Sequence, residues 1–398
     1  MNLPTGGQKC RILHIITRLI VGGAQENTLY TAQLLDNETF AVEVISGPQT
    51  GSEGSLIEEG RSKGVRITIL PSLVRQVNPW MDFKALWQMV GYLRKNQYSI
   101  VHTHSSKAGI LGRIAAKLAG IPVIIHTVHG WSFHDHMPWV TRFAYIMLER
   151  ICAHFTDALI VVTDRDEQKG LQAGIGKSSQ YHKIRSAIPL KEFDPLRTDR
   201  QLIRQELDIP MNSLVLGTVG RFSTQKNPID WVYVAEKISQ EIPDCRFLMV
   251  GDGPLLPQVK ALLLEKNLNN KFLLPGIQRN IPQMMAAMDV FLLTSLWEGL
   301  PRVIPQAMSM HLPVVATSVD GSTEIIMDGL NGYLCLPGNV NCLVDRCLKL
   351  LKDSELRQAI SLKGHETAIE NFDLSQMIAQ IDDLYNSFLI KNQASSGK

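Results

Sequence analysis

The chain has 398 residues, of which 45% are hydrophobic and 20% charged, the composition of a soluble globular protein. One hydrophobic core rarely grows past ~250–300 residues, so this length points to two domains. Forty basic residues against 38 acidic ones leave a net charge of +2, which argues against nucleic acid held by bulk charge, and no nucleic-acid partner is expected.

Residues 1–9 lack the apolar core of a signal peptide, and no apolar stretch reaches the ~18 residues of a membrane span. The six cysteines form no C-x-x-C pair and lie mostly among apolar residues, which predicts reduced core thiols and a cytoplasmic location. A short apolar strand at 12–16 is followed by Gly22-Gly23-Ala24-Gln25 and a helix to about Leu35. Glycines there let the backbone approach an anion at the helix start. Residues 42–45 and 65–70 read as further strands. Phe83, Leu86, Trp87, Val90 and Leu93 recur at helical spacing and predict a helix over 82–97 with these side chains in the core, Trp80 and Met81 standing outside.

A strand at 99–101 runs into His102-Thr-His104. Metal-dependent hydrolases place two histidines this way, and His126, His129, His134 and His136 downstream extend a candidate cluster. Only Asp135 brings a carboxylate near it, and no H-E-x-x-H spacing occurs, so polar residues lining a sugar pocket are the better reading. An Ala-rich helix at 108–118 stops at Gly120, and 122–126 is the next strand. Segment 131–139 is dense in aromatics and histidines, and leads into a helix whose Phe143, Ile146, Met147 and Ile151 have core spacing. After a buried strand at 158–162, Asp164-Arg-Asp166 opens a helix, where capping and the helix dipole account for the carboxylates.

Residues 188–210 turn polar, with Pro189, Pro195 and Pro210, and read as a linker. A new strand at 214–219 then runs into Gly220-Arg221 and Lys226-Asn227-Pro228, with Asn227 as helix cap and Pro228 at the first helical position. Two cations at a strand-to-helix turn can neutralise a diphosphate. Residues 246–250, 272–276 and 290–293 continue the sheet. Next comes Thr294-Ser-Leu-Trp-Glu298-Gly299-Leu300-Pro301, with Gln306-Ala-Met further on and Pro301 suited to a helix's first turn. An acidic residue and a glycine thus lie between a strand's end and a helix start, where open parallel sheets bind ligands. A strand at 314–316 is followed by a turn carrying Glu324. After Gly338 the chain reads as helical to about Lys391.

These motifs resemble the retaining glycosyltransferases of the GT-B fold, family 4, along nearly the whole chain, from about Arg11 to Phe372. The resemblance implies an α/β protein of two Rossmann-like domains facing a cleft. It assigns 10–188 to an acceptor-binding domain, 189–373 to a nucleotide-sugar-binding domain and 374–392 to a helix crossing back to the first. It implies donor binding by Gly22, Gly23, Arg221, Lys226, Gly276, Glu298, Gly299, Leu300 and Gln306, with Glu298 on sugar hydroxyls and Gln306 on the ribose. His129 and Glu298 are the implied catalytic residues, and His102, His104 and Trp131 the acceptor side. Retention, no cofactor and no metal follow from the same likeness. So do a nucleoside-diphosphate donor, most simply a UDP-sugar, and a saccharide acceptor on a polyprenyl diphosphate. The aromatics of 131–139, with Arg94, Lys95, Arg142 and Arg150, suggest peripheral contact with the inner membrane face.

One residue departs from the family, which has a second Glu where this chain has Gln306. An amide still accepts and donates hydrogen bonds, so a roughly tenfold loss of donor affinity is expected rather than abolition. A glycosidase reading of Glu298 and Gln306 fails because Gln306 cannot exchange a proton and a helical step of eight residues is ~12 Å. A nucleotide-sugar 2-epimerase or hydrolase of the same fold, and a non-catalytic nucleotide-sugar-binding partner, stay open.

Overall fold

A computed structural model of the chain describes residues 9–49, 54–133 and 137–396. His134, Asp135 and His136, counted in the candidate cluster above, lie outside them. The chain divides into two compact units, one of Met1–Ser186 with Ser375–Lys398 and one of Ala187–Leu374.

In the first unit the elements alternate: β1 (Cys10–Ile16), α1 (Gly23–Leu34), β2 (Phe40–Ser46), α2 (Ile57–Ser62), β3 (Arg66–Ile69), α3 (Pro79–Asn96), β4 (Ile100–His104) and α4 (Ser106–Ala119). Then follow β5 (Val123–Val128), α5 (Trp139–Ala153), β6 (Ala158–Val161), α6 (Asp164–Gln172) and β7 (Tyr181–Lys183). Every pairing is parallel, in the order β3-β2-β1-β4-β5-β6-β7. The order reverses between β1 and β4, and in such sheets ligands bind beyond the carboxyl ends at that switch. One sheet face presents Leu13, Ile15, Val101 and Ile124 to α3 and α4, where Met89, Leu93, Ala115 and Ala116 are buried against them.

The second unit holds α7 (Arg200–Glu206), β8 (Val215–Val219), α8 (Pro228–Glu241), β9 (Arg246–Val250), α9 (Leu256–Glu265), β10 (Phe272–Leu273), α10 (Ile281–Ala286) and β11 (Val290–Leu293). It continues with α11 (Val303–Ser309), β12 (Val314–Thr317), α12 (Ser322–Ile325), β13 (Tyr333–Cys335), α13 (Val340–Lys352) and α14 (Ser354–Asn371). Its parallel sheet has the order β10-β9-β8-β11-β12-β13, with the switch between β8 and β11. The last helix, α15 (Leu374–Ser396), belongs almost wholly to the first unit and buries Met377, Ile381 and Tyr385. Two Rossmann-like units with a returning C-terminal helix are the architecture the resemblance implies.

Several expectations change. Phe83, Trp87, Phe143 and Ile151 were expected in the core, but each is half exposed or more. Val90 and Leu93 of the expected stripe are buried, and Ala85 and Met89 complete the buried side of α3. Segment 188–210 is not a bare linker, because α7 forms inside it, capped by Asp199, which accepts from Gln201 N and Leu202 N. Arg200 and Arg204 of α7 grip Asp289 at 2.7 Å each, and Asp289 also accepts from Val215 N at 2.8 Å. The cysteines are not all reduced either. Cys335 at the end of β13 is joined to Cys342 in the first turn of α13, with Cα atoms 5.9 Å apart, while Cys10, Cys152, Cys245 and Cys347 are free and buried. The chain turns back through Gly338 at φ 79°, and Asn339 caps α13 by accepting from Cys342 N, which brings the two thiols together across the turn.

Candidate functional site

In the second unit the two loops flanking the switch are sewn together. The Thr294 hydroxyl, just past β11, donates to the carbonyls of Lys226 and Asn227 at 2.9 Å each. Leu296 N donates to Gln225 O at 2.7 Å. Asn227 caps α8 with Pro228 behind it, as its sequence predicts. The Lys226 ammonium is thereby held against the Glu298 carboxylate as an ion pair, and Ser295 Oγ donates to the same Glu298 oxygen at 2.6 Å. Gln225 reaches the other oxygen at 3.4 Å. Lys226 and Glu298, expected on the diphosphate and the sugar respectively, are therefore one unit here. A pocket lies beside them, lined by Gly220, Arg221, Lys226 and Thr294 among others.

Two glycines let the backbones close up. A Cβ on Gly251 would stand 2.0 Å from Gly220 O, and one on Gly321 would stand 1.9 Å from Gly299 O. The turn after β12 is thus pressed against Gly299 and Leu300. It carries Ser322, whose hydroxyl is fully buried and has no hydrogen-bond partner among the described residues. Nothing in the sequence singled out Ser322, because a serine in a turn is unremarkable until its burial is known. Gln306 lies in α11, 9% exposed, and Gly276 adopts φ 74° after β10. The helix begins at Val303, later than Pro301, whose carbonyl accepts from Ile304 N in a tighter turn. Gly22 precedes α1 and Gly23 is its first residue.

In the first unit, His129 follows β5 at the sheet's carboxyl edge and is partly buried. His102 and His104, expected to line a sugar pocket, are each 1% exposed, so they can reach a substrate only through a neighbour. Parallel pairing puts His14 beside His102, and the twofold repeat of strands puts His102, His104 and Thr127 on the same face. His14 Nδ1 meets His104 Nε2 at 2.8 Å, and His104 Nδ1 meets His129 Nε2 at 3.2 Å. His102 bonds Thr127 and Tyr385, and Tyr385 also bonds His14. Ring nitrogens of His14, His102 and His104 lie within 4.8 Å of one another, the spacing at which a metal could be held. All six of those nitrogens have hydrogen-bond partners here. His126 lies on the opposite face, bonded to Thr103. Burial drives the pKa of His14 down to about 3 and, with help from neighbouring imidazoles or Arg113, those of His102, His104 and His126 well below the usual range. All four are neutral at pH 7.

Trp131 stacks on Phe133 and spends its indole N–H on Asp166 O at 2.6 Å, so its role at an acceptor would be that of an apolar wall. Asp164 pairs with Lys183, and Thr163 caps α6 by accepting from Asp166 N. Trp139, at the start of α5, is 78% exposed, and Trp80 at the start of α3 is 84% exposed. Arg94, Lys95 and Arg142 are exposed, whereas Arg150 donates to Ala173 O. Among the described residues no helix is long and apolar enough to cross a membrane.

Comparison with known proteins agrees with these two units. Residues 22–179 match the family described as glycosyl transferase 4-like domain, and residues 199–367 match glycosyl transferases group 1. The chain is 32% identical over 388 residues to the UDP-Gal:alpha-D-GlcNAc-diphosphoundecaprenol alpha-1,3-galactosyltransferase of Escherichia coli, covering 96% of this chain and 98% of that one. It is 30% identical over 193 residues to the N-acetyl-alpha-D-glucosaminyl L-malate synthase of Bacillus anthracis, covering 48% and 50% of the two chains. Among solved structures, HepE of Anabaena in complex with UDP and glucose superposes with a TM-score of 0.81 at 20% identity, over 95% of this chain and all of that one.

Proposed function

Since the chain belongs to the group 1 glycosyltransferases of the GT-B fold, we propose that it transfers a hexose-type sugar from a UDP-sugar to a saccharide carried on a polyprenyl diphosphate. The observation that carries this reading is the end-to-end likeness to an enzyme whose name specifies such a donor and acceptor. The donor binds the second unit. Arg221 and Lys226 meet the diphosphate, and Gln306 takes the ribose. Glu298, pre-positioned by Lys226 and Ser295, holds hydroxyls of the transferred sugar. The acceptor lies on the first unit with His129 nearest the reacting hydroxyl and Trp131 as an apolar wall.

Transfer proceeds with retention and without a divalent metal. The cations of the second unit stabilise the charge that develops on the leaving diphosphate. The lipid of the acceptor remains in the bilayer, and the exposed aromatics at the starts of α3 and α5 dock there. Both helices begin at the carboxyl edge of the first sheet, the edge that carries His129. Trp80, Phe83, Trp87, Trp139, Val140 and Phe143 are all at least half exposed there, and such amphipathic aromatics favour a membrane interface. Arg142, near the start of α5, adds attraction to anionic headgroups, about 1 kcal/mol, whereas Arg94 and Lys95 lie in the last turn of α3 at the sheet's opposite edge, where Arg94 donates to Leu118 O.

The deciding experiment offers a panel of UDP-sugars with lipid-linked and free-sugar acceptors, and reads product and anomeric configuration by NMR. Transfer to the lipid-linked acceptor with retention, unaffected by EDTA, is expected. An inverted product, or activity lost to EDTA and restored by a divalent cation, overturns the mechanism. Sugar release or epimerisation without an acceptor overturns the reaction class. Vesicle co-sedimentation tests the docking. Binding no stronger to anionic than to neutral vesicles, and unchanged in Trp139→Ala, overturns it.

A further inference from the structure

An unbroken line of hydrogen bonds leads from the interior of the first unit to His129. Thr127 Oγ1 meets His102 Nε2 at 2.6 Å, and His102 Nδ1 meets the Tyr385 hydroxyl at 2.5 Å. The Tyr385 hydroxyl meets His14 Nε2 at 3.3 Å, His14 Nδ1 meets His104 Nε2 at 2.8 Å, and His104 Nδ1 meets His129 Nε2 at 3.2 Å. Tyr385 comes from α15, the strands supply Thr127, His102, His14 and His104, His129 follows β5, and His14, His102, His104 and Tyr385 are at most 1% exposed.

A neutral imidazole has one N–H and one bare nitrogen, and a tyrosine hydroxyl in a two-partner chain donates once and accepts once. Burial keeps His14, His102 and His104 neutral, and raises the Tyr385 hydroxyl well above its ordinary range, so none of these links carries a charge. In such a line a single choice of donor at one end dictates every other link. Thr127 makes that choice. It is 3% exposed, and His102 is the partner of its hydroxyl among the described residues. Donating to His102 satisfies its hydrogen, whereas accepting would leave a buried O–H unpaired at about 1–3 kcal/mol. His102 then donates from Nδ1 to Tyr385, Tyr385 to His14 Nε2, His14 from Nδ1 to His104, and His104 from Nδ1 to His129 Nε2.

We infer that Thr127 and Tyr385 are positioning residues which, through His102, His14 and His104, hold the neutral form of His129 in the tautomer that carries its hydrogen on Nδ1. The consequence for chemistry rests on the proposed transfer reaction. With Nε2 occupied as an acceptor and the hydrogen on Nδ1, His129 has no basic lone pair left. It therefore does not remove the acceptor's proton. As the bond from the acceptor oxygen to the anomeric carbon forms and the bond to the phosphate oxygen breaks, the hydroxyl proton passes to the leaving phosphate. Because Tyr385 lies on α15, the tautomer is set only when the C-terminal helix is packed on the first unit.

The test uses full-length protein labelled with ¹⁵N at histidine, with the His129 ring signals identified by their loss in His129→Gln. Protonation at Nδ1 is expected in the unaltered chain. Tyr385→Phe, which keeps the ring and deletes the link, should yield a mixture of tautomers. Thr127→Val should do the same, and Thr127→Ser should restore the single form. With substrates, Tyr385→Phe should lower kcat about tenfold while the donor KM stays within about twofold. A hydrogen on Nε2 in the unaltered protein overturns the assigned direction. An unaltered His129 tautomer in folded Thr127→Val and Tyr385→Phe overturns the coupling. The tautomer measurement needs no substrate, so it stands apart from the proposed reaction. If His129→Gln turns over normally, it is the placement of His129 at the reacting hydroxyl that fails.

Discussion

Lys226 holds a carboxylate before any substrate arrives, and this shapes what its removal should do. Lys226→Ala deletes a cation from the donor pocket and also leaves the Glu298 side chain, 7% exposed, without its counter-charge. Donor binding or kcat/KM should fall by about 1.5–3 kcal/mol, measured by calorimetry with UDP and by initial rates. An unchanged affinity and rate would remove Lys226 from the site. Gln306→Glu should bind the donor equally or modestly more tightly, and a folded but inactive variant would displace Gln306 from the ribose. The sequence marked Lys226 and Glu298 as candidates by their place between a strand end and a helix start, and Gln306 only through the resemblance to the family. His14 and Tyr385 carried no such mark. They meet across 371 positions of chain, and neither is distinguishable from an ordinary core residue until strand register and the docked α15 bring them together.

Most strands and caps were legible for local reasons: apolar runs such as β6, β11 and β12, and the Asn227-Pro228 start of α8. What periodicity could not decide was which stripe of a helix faces inward. On α3 the helical spacing of Phe83 and Trp87 fits the core as well as that of Ala85 and Met89, and Ala85 and Met89 lie inside with Val90 and Leu93 where α4 packs against the helix. The polar text of α7 hid a packed helix because Arg204, 3% exposed, spends its donors on Ala287, Met211 and Ser213 carbonyls as well as Asp289. An element-scale test falls on α4 and α5, tied by Arg113 and Glu149 at 2.6 Å with both side chains at most 1% exposed. Attraction in such a pair is largely spent on desolvation, but removing one member strands the other. Glu149→Ala should therefore cost about 3–5 kcal/mol, read from denaturant midpoints. A loss under about 1 kcal/mol, typical of exposed pairs, would show that Arg113 finds water when its partner goes.

At the scale of the whole molecule, the two units should answer acid differently. His14, His102, His104 and His126, all buried and held neutral, belong to the first unit. Each takes up a proton in the unfolded chain below about pH 6.5 but not in the folded one until far lower, about 3 for His14. Between those limits the unfolded state binds more protons, so stability is complete above about 6.5 and drains away as pH falls. The slope is about 1.4 kcal/mol per pH unit for each such proton. Glu43, also in the first unit, adds a second loss lower down. Burial alone would raise its pKa, but hydrogen bonds from Tyr98, Arg11 and Tyr92 and the charge of Arg66 outweigh that and lower it, so its contribution disappears only as pH falls below the ordinary carboxylate range. In the second unit the depressed histidine is His311, less buried, lowered by burial and by His365. Calorimetry between pH 7.5 and 5.5 should show one of two transitions moving down steeply while the other holds. Glu149→Ala identifies the moving one, because it weakens the first unit alone. Two transitions shifting in parallel, or the unmarked one moving first, would mean that the buried histidines are not what limits the molecule in acid.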